Sequence, residues 1–285
     1  MAALKGWLAA AHPFPLTLVV VLTALVGVAS ADGEPDVTRL AAALAAMALS
    51  QLAIGWSNDY LDRDTDAAHQ PWKPVPSGQI DPRTMPRAIV AVLAGSLAVG
   101  AWLGLTPFTL LIAGTACGLA YNLGLKDTSL SAAPFVLALA LLPAYVWTSL
   151  DVYRGDFLWL YAIGTPPALA AHVANTLPDI EADVAAGRRG LAVRLGRSWS
   201  MAVIEACMLA PLFVALARIA AVDADERSSH FNWGLLTGVL VSYGVACVLM
   251  AFFYAAASSR GAAVWGFRLV AIAGVYLATG WLAAV

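Results

Sequence analysis

Asn58-Asp59-Tyr60-Leu61-Asp62-Arg63-Asp64-Thr65-Asp66 closes an apolar run that begins near Thr38 and sets four carboxylates within eight residues. At the roughly 100° per residue of a helix, Asp59, Asp62 and Asp66 fall within about 60° of one another. Asn58 widens that arc to about 100°, and Asp64 points away. Asn175, Asp179 and Asp183 repeat the pattern at i, i+4, i+8, each 117 positions after its counterpart. The spacing predicts two helices, each with an Asn-Asp-Asp stripe, that the rest of the chain has to bring face to face.

Hydrophobic residues make up 61% of the 285 positions and charged ones only 12%, about half the charged fraction of a soluble domain. The apolar runs are about 17–25 residues long, enough to cross a hydrocarbon core about 30 Å thick. The chain therefore reads as a single all-α polytopic membrane domain over 1–285. Nine spans are expected, at about 14–31, 38–60, 86–105, 107–123, 130–150, 157–179, 198–221, 233–257 and 264–284. Ala29-Ser30-Ala31 resembles a signal-peptidase site, but the apolar run before it is long for a signal peptide, so the first span is expected to be retained. Cys117, Cys207 and Cys247 sit in separate apolar runs without metal-ligand spacing and read as packing residues.

Counting the amino terminus and every second loop assigns twelve of the sixteen Lys and Arg to one face. That excess predicts a cytoplasmic amino terminus. Both carboxylate stripes end on the same face, as spans two and six should. The two longest loops, 61–85 and 180–197, follow the stripes directly. Gly100/Gly104 and Gly114/Gly118 have a G-x-x-x-G spacing that suits close helix packing.

Carboxylates crowded near a membrane need a reason to be there, since ionisable groups at that depth face a bundle interior or a watery cavity. A solvated helix end accounts for Asp64 and Glu181, which lie off the stripes. It does not account for Asp59, Asp62, Asp66, Asp179 and Asp183 in register with Asn58 and Asn175. Clustered carboxylates repel unless a cation lies between them. Oxygen-only ligation with few protein ligands suits Mg²⁺, which keeps waters and takes other ligands from phosphates. Lys73 follows the first stripe, and Arg188, Arg189 and Arg194 follow the second. Carboxylates, a hard cation and nearby Lys/Arg together describe a diphosphate site.

These residues resemble the UbiA superfamily of intramembrane prenyltransferases over nearly the whole chain. Asn58, Asp59, Asp62 and Asp66 match its N-D-x-x-D-x-x-x-D motif. Lys73 to Gly78 match its basic Pro-x-x-Ser-Gly loop, with lysine where arginine is commoner. Asn175, Asp179 and Asp183 match the second motif, which runs on through Gly187 to Gly196 with Gly190 in place of the usual threonine. Tyr121 and Lys126 match a Tyr-x4-Lys pattern. The resemblance implies a nine-helix ring around a central cavity with cytoplasmic cap loops. It also implies two Mg²⁺ bridging the carboxylates to a polyprenyl diphosphate. The allylic C–O bond would ionise, and a lipophilic acceptor, aromatic or ring-bearing, would capture the carbocation. Asp59, Asp62, Asp66, Asp179 and Asp183 would be catalytic, and with Asn175 they would hold the metal. Asn58, Lys73, Tyr121, Lys126, Asn175, Arg188 and Arg189 would bind substrate. Membrane lipids are the other expected partners, and no nucleic acid is.

His172, one turn before Asn175, is counted with the substrate-binding residues, as an acceptor contact or a base, with a hydrogen-bonded packing histidine as the alternative reading. Gln51 lies two turns before Asn58, and Glu205 is the one acidic residue well inside a span away from the stripes. His12, His69 and His230 read as interfacial. Relatives with aromatic carboxylate acceptors often carry arginine near the start of the first span, where this chain has Ala11-His12-Pro13-Phe14. A terpene cyclase of the same superfamily would share every motif. A divalent-cation transporter would spread its ligands across the membrane, whereas here they gather on one face beside Lys and Arg.

Overall fold

The computed structural model of the protein describes residues 2–31, 33–153, 155–185, 187–225 and 263–282. Its helices in chain order are α1 (Ala2–Ala10), α2 (Pro13–Ser30), α3 (Val37–His69), α4 (Met85–Leu103) and α5 (Leu105–Asn122). They continue with α6 (Ala132–Leu150), α7 (Trp159–Thr176), α8 (Ile180–Ala185), α9 (Leu191–Asp225) and α10 (Ala263–Leu282). No strand occurs among the described residues. Five of these helices (α2, α3, α4, α6 and the Leu191–Val214 part of α9) are long and apolar enough to cross a membrane. Each expected span overlaps a helix except 233–257, which lies outside the described residues.

Two features differ from the sequence expectation. The second span does not stop near residue 60: α3 continues to His69, so the first carboxylate stripe is helical throughout. Pro71 ends it, because a proline pushes the preceding residue out of the α region, and Gln70 stands at φ −137°, ψ 58°. The amino-terminal helix α1 is additional. It turns Leu4 and Leu8 outward and packs Trp7 and Ala10 against Val75, Ile80 and Met85.

The chain falls into two compact units. One is Met1–Lys126 with Leu141–Val152, and the other is Asp127–Ala140 with Tyr153–Val285. The helix α6 serves both. Pro143 lies inside α6 near the division, and it cannot bond the carbonyl one turn back.

In the first unit α3 is the axis, and its neighbours are tied to it by hydrogen bonds. Ser50 meets the Thr115 hydroxyl of α5 at 2.7 Å, Ser96 of α4 donates to the Ala46 carbonyl at 2.8 Å, and Tyr145 of α6 donates to that of Ala43 at 3.0 Å. Such bonds average about 0.6 kcal/mol between membrane helices, so their number matters more than any one. At the start of α3, Asp36 caps the helix by accepting from the Arg39 N–H at 3.0 Å. Arg39 then donates to the carbonyls of Leu103, at 2.9 Å, and Ser149. One guanidinium thus satisfies the open carbonyl ends of α4 and α6, where a cation also suits the helix dipoles.

In the second unit α7 is central. Gly274 of α10 lies so close to it that a Cβ there would stand 2.9 Å from Pro167 Cβ. The helix α9 is broken at Gly196, whose φ of 70° and ψ of 169° belong to a region open to glycine almost alone.

Candidate active site

Asp59, Asp62 and Asp66 occupy the last turns of α3, and each carboxylate faces a basic side chain. Lys73 donates to Asp66 Oδ2 at 2.8 Å and stands 3.8 Å from Asp59 Oδ1. Lys126 donates to both oxygens of Asp62 at 2.6 Å and lies 3.5 Å from Asn58 Oδ1. His12 Nε2 lies 2.9 Å from Asp59 Oδ1. Asp59 and Asp66 are only 3% and 5% exposed. The Asp64 side chain is 87% exposed and pairs with its neighbour Arg63 at 3.4 Å. Burial therefore separates the stripe from the bystander, as the helical angles require.

The two lysines reach the stripe from different segments, Lys126 from beyond α5 and Lys73 from the loop that follows α3. Lys126 follows α5 in a 3₁₀ turn, Leu125–Asp127. The close of α5 is fastened to α3 by Asn122, which donates to the Ile54 carbonyl and to Ser57 Oγ, both at 2.8 Å. Gly118 allows this approach: a Cβ there would meet Ile54 Cδ1 at 2.5 Å. Tyr121 sits half-buried in the same last turn of α5. Lys73 opens the loop that Val75, Ile80 and Met85 seal against α1.

His12 reaches the stripe through the corner between α1 and α2. Its backbone is left-handed, φ 49° and ψ 70°, a conformation that costs a non-glycine residue about 1–2 kcal/mol and that is doubly unusual before a proline. Opposite the corner, Gly55 lets α3 come close. A Cβ at Gly55 would stand 3.2 Å from the Ala11 carbonyl oxygen and 3.3 Å from that of Ala10. Gly55 is one turn before Asp59, so the same approach lays His12 on that carboxylate.

The second pattern is built differently. Asn175 is in the last turn of α7, Asp179 ends a 3₁₀ turn (Leu177–Asp179), and Asp183 lies in α8. A single regular helix is expected from the spacing, and Pro178 is the reason it is not found. Its missing N–H and its ring disfavour α geometry, and the 3₁₀ turn tightens the path to three residues per turn. Asn175 and Asp179 are exposed and Asp183 is half-buried. Arg188 donates to Asp183 Oδ1 at 3.2 Å and lies 3.3 Å from Asp127 Oδ1. The Arg189 N–H donates to the Asp127 carbonyl at 3.0 Å, and its side chain is exposed. His172 is fully buried, 3.2 Å from Ser131 Oγ, and tilted against the Phe135 ring. The Leu191 N–H donates to that same Ser131 oxygen at 3.0 Å.

A family model, the UbiA prenyltransferase family, matches residues 19–258. The chain belongs to this family. Among its UbiA relatives, the digeranylgeranylglyceryl phosphate synthase of Korarchaeum cryptofilum is 26% identical over 140 residues, which is 49% of this chain and 50% of that one. The synthase of that name from Methanothrix thermoacetophila is 25% identical over 192 residues, covering 64% and 68%. The chain thus spans only half to two thirds of the length of these two relatives. A solved UbiA homolog from Archaeoglobus fulgidus, bound to GPP and Mg²⁺, superposes with a TM-score of 0.74 at 14% identity, covering 98% of this chain and all of that one. At that identity the likeness establishes the UbiA fold.

The first stripe fits a divalent ion on its own chemistry. Its donors are all oxygens, and the Lys73 ammonium lies within ion-pairing reach of both Asp59 and Asp66. Two buried carboxylates so close to one another call for positive charge between them, and a hard cation answers the same demand with the ligands it prefers. Among the described residues no group of three or more His, Cys, Asp and Glu side chains is arranged to hold a metal ion. An ion on the stripe would therefore take part of its shell from waters and phosphate oxygens, as Mg²⁺ commonly does. Three residues packed at this carboxylate cluster escape the sequence reading as part of it: His12, Gly55 and Asn122. No local signal marks them, because each acts through a close approach between helices. Gln51 donates to Met47 Sδ on its own helix at 3.9 Å, and Glu205 is exposed on α9.

Proposed function

We propose that this UbiA-family chain transfers an isoprenyl group from a prenyl diphosphate to a lipophilic acceptor, with Mg²⁺ as the metal. The observation that carries this reading is the pairing of Lys73 and Lys126 with the first stripe. It sets ammonium groups and carboxylates in the mixture that a metal diphosphate needs. Asp59, Asp62, Asp66, Asn175, Asp179 and Asp183 would be the ligands of two Mg²⁺. Bound Mg²⁺ supplies Lewis acidity to the departing diphosphate.

The chain's own groups do the rest. Lys73 and Lys126 exchange carboxylate partners for phosphate oxygens as the diphosphate arrives, with Arg188 and Arg189 adding charge from the second loop and Asn58 and Tyr121 orienting it. Heterolysis of the allylic C–O bond sends its electron pair to the diphosphate, so these charges count most as the bond breaks. The acceptor's nucleophilic atom then bonds to the allylic carbon and gives up its proton to the released diphosphate. His172 acts through Ser131, holding the start of α9 in place. The names of the relatives favour an acceptor of the glyceryl phosphate kind, with a ring-bearing acceptor as the second reading. The amino terminus and the loops after both stripes lie on the cytoplasmic face.

The test measures diphosphate release and lipid product from geranylgeranyl diphosphate, offered with a glyceryl phosphate lipid or a phenolic acceptor. Asp62→Ala and Asp179→Ala should each lose about 100-fold or more, the scale for removing a group that stabilises transition-state charge, and EDTA should do the same. Asp64→Ala should stay within about twofold, roughly 0.4 kcal/mol. Turnover that survives chelation and both stripe variants would end the metal-diphosphate reading.

A further inference from the structure

His12 occupies a position where glycine is the ordinary choice. It ends α1 in the left-handed conformation that commonly closes a helix, and its N–H bonds the Ala9 carbonyl at 3.1 Å. It also precedes the first residue of α2, yet its side chain makes no capping bond there. Little is left for a cap to satisfy: Pro13 and Pro15 carry no N–H, and the Leu16 N–H already bonds the His12 carbonyl. The imidazole is thus released from local duty and spans 47 positions of sequence to reach Asp59 Oδ1. A strained backbone retained at the edge of a reactive carboxylate cluster points to a role for the side chain.

We propose that His12 is a positioning residue of the diphosphate-metal site. Its Nε2–H, donated to Asp59 Oδ1, fixes the rotation of that carboxylate, so that the stripe meets the divalent ion in one orientation. The inference rests on the function proposed above. Asp59 needs such a guide more than its neighbours do. Lys126 grips Asp62 through both oxygens and Lys73 donates directly to Asp66, whereas Lys73 reaches Asp59 only at 3.8 Å. Hydrogen bonds to ligating carboxylates commonly change metal affinity by about 10–100-fold when removed. The corner of α1 and α2, with Gly55 opposite, acts as the bracket that holds this hydrogen bond.

Purified protein is titrated with Mn²⁺ alone, and the ion is followed by the EPR signal of its free hexaaquo form. His12→Phe keeps a ring and removes the donor, and it should weaken Mn²⁺ binding by about 10–100-fold. His12→Gln keeps an N–H at similar reach and should bind within about threefold of the native protein. Thermal unfolding reports whether each variant is folded, and His12→Ala replaces the Phe variant if that one is not. Asp62→Ala separates the two readings. If it leaves Mn²⁺ binding intact, the metal site itself is refuted. If it abolishes binding while His12→Phe and His12→Ala bind like the native chain, the site stands and the positioning role falls. Equal loss in the Phe and Gln variants would reduce His12 to a structural corner and also overturn the role.

Discussion

At the scale of single residues, Lys73 is the most informative, because it has two partners to choose between. It holds Asp66 at 2.8 Å, yet it stands in a loop where the diphosphate is expected. If it exchanges one for the other, its loss has opposite effects on the two ligands. Lys73→Met should raise the affinity for Mn²⁺ alone, since the ion no longer displaces an ammonium, and should weaken prenyl diphosphate binding by about 10-fold or more, the scale of a lost charged hydrogen bond. Lys73→Arg should keep most of the activity, because guanidinium binds phosphate at least as well. A Met variant that weakens both ligands would assign Lys73 to holding the loop in place. The carboxylates themselves were legible in the sequence because a helix of known pitch converts spacing into direction. Asp64, adjacent in sequence to the stripe but 87% exposed, is the clearest case of that rule at work. His12 was not legible: only the fold brings it to a residue 47 positions away.

At the scale of elements, the lesson lies in which signals survive packing. The pitch rule held for α3 and failed after Thr176, where Pro178 imposes a 3₁₀ turn. That proline was readable, and its consequence for the register of Asp179 and Asp183 follows from the missing N–H. The G-x-x-x-G spacing was ambiguous in sequence, and the structure resolves it glycine by glycine. Nothing lies within 4 Å of a Cβ built on Gly114, whereas one on Gly118 would stand 2.5 Å from Ile54 Cδ1 and 2.9 Å from Cγ1. Ile54 is stiff at χ1, so it yields only by shifting α3 or α5. Gly118→Ala should therefore destabilise the protein by about 1–3 kcal/mol and lower its thermal midpoint in detergent. Gly114→Ala should be neutral or stabilise by about 0.5–1 kcal/mol through helix propensity. Equal effects at the two positions would contradict the packing of α5 on α3. Because Gly118 is followed by Asn122 at the end of α5 and by Lys126 in the 3₁₀ turn beyond it, its variant should also loosen substrate binding.

At the scale of the whole molecule, α3 alone sets the depth of the site. Arg39 and Asp59 are twenty residues apart on one continuous helix, which is about 30 Å at 1.5 Å per residue and equals the thickness of the hydrocarbon core. The stripe and Arg39 therefore belong to opposite faces. Arg39 is one of the four basic residues on the minority side of the charge count, and its bonds to the ends of α4 and α6 give it a structural reason to be there. With that exception explained, the remaining excess of Lys and Arg on the side of the stripe argues more strongly for a cytoplasmic site. Single cysteines placed at exposed loop positions can test it, with Cys117, Cys207 and Cys247 replaced by serine. Pro82→Cys, in the loop after the first stripe, should resist a membrane-impermeant maleimide in intact cells and react once they are permeabilised. Glu34→Cys, in the loop before α3, should react from outside without permeabilisation. The reverse pattern would invert the orientation, and labelling of both from outside would mean that α3 does not cross the membrane.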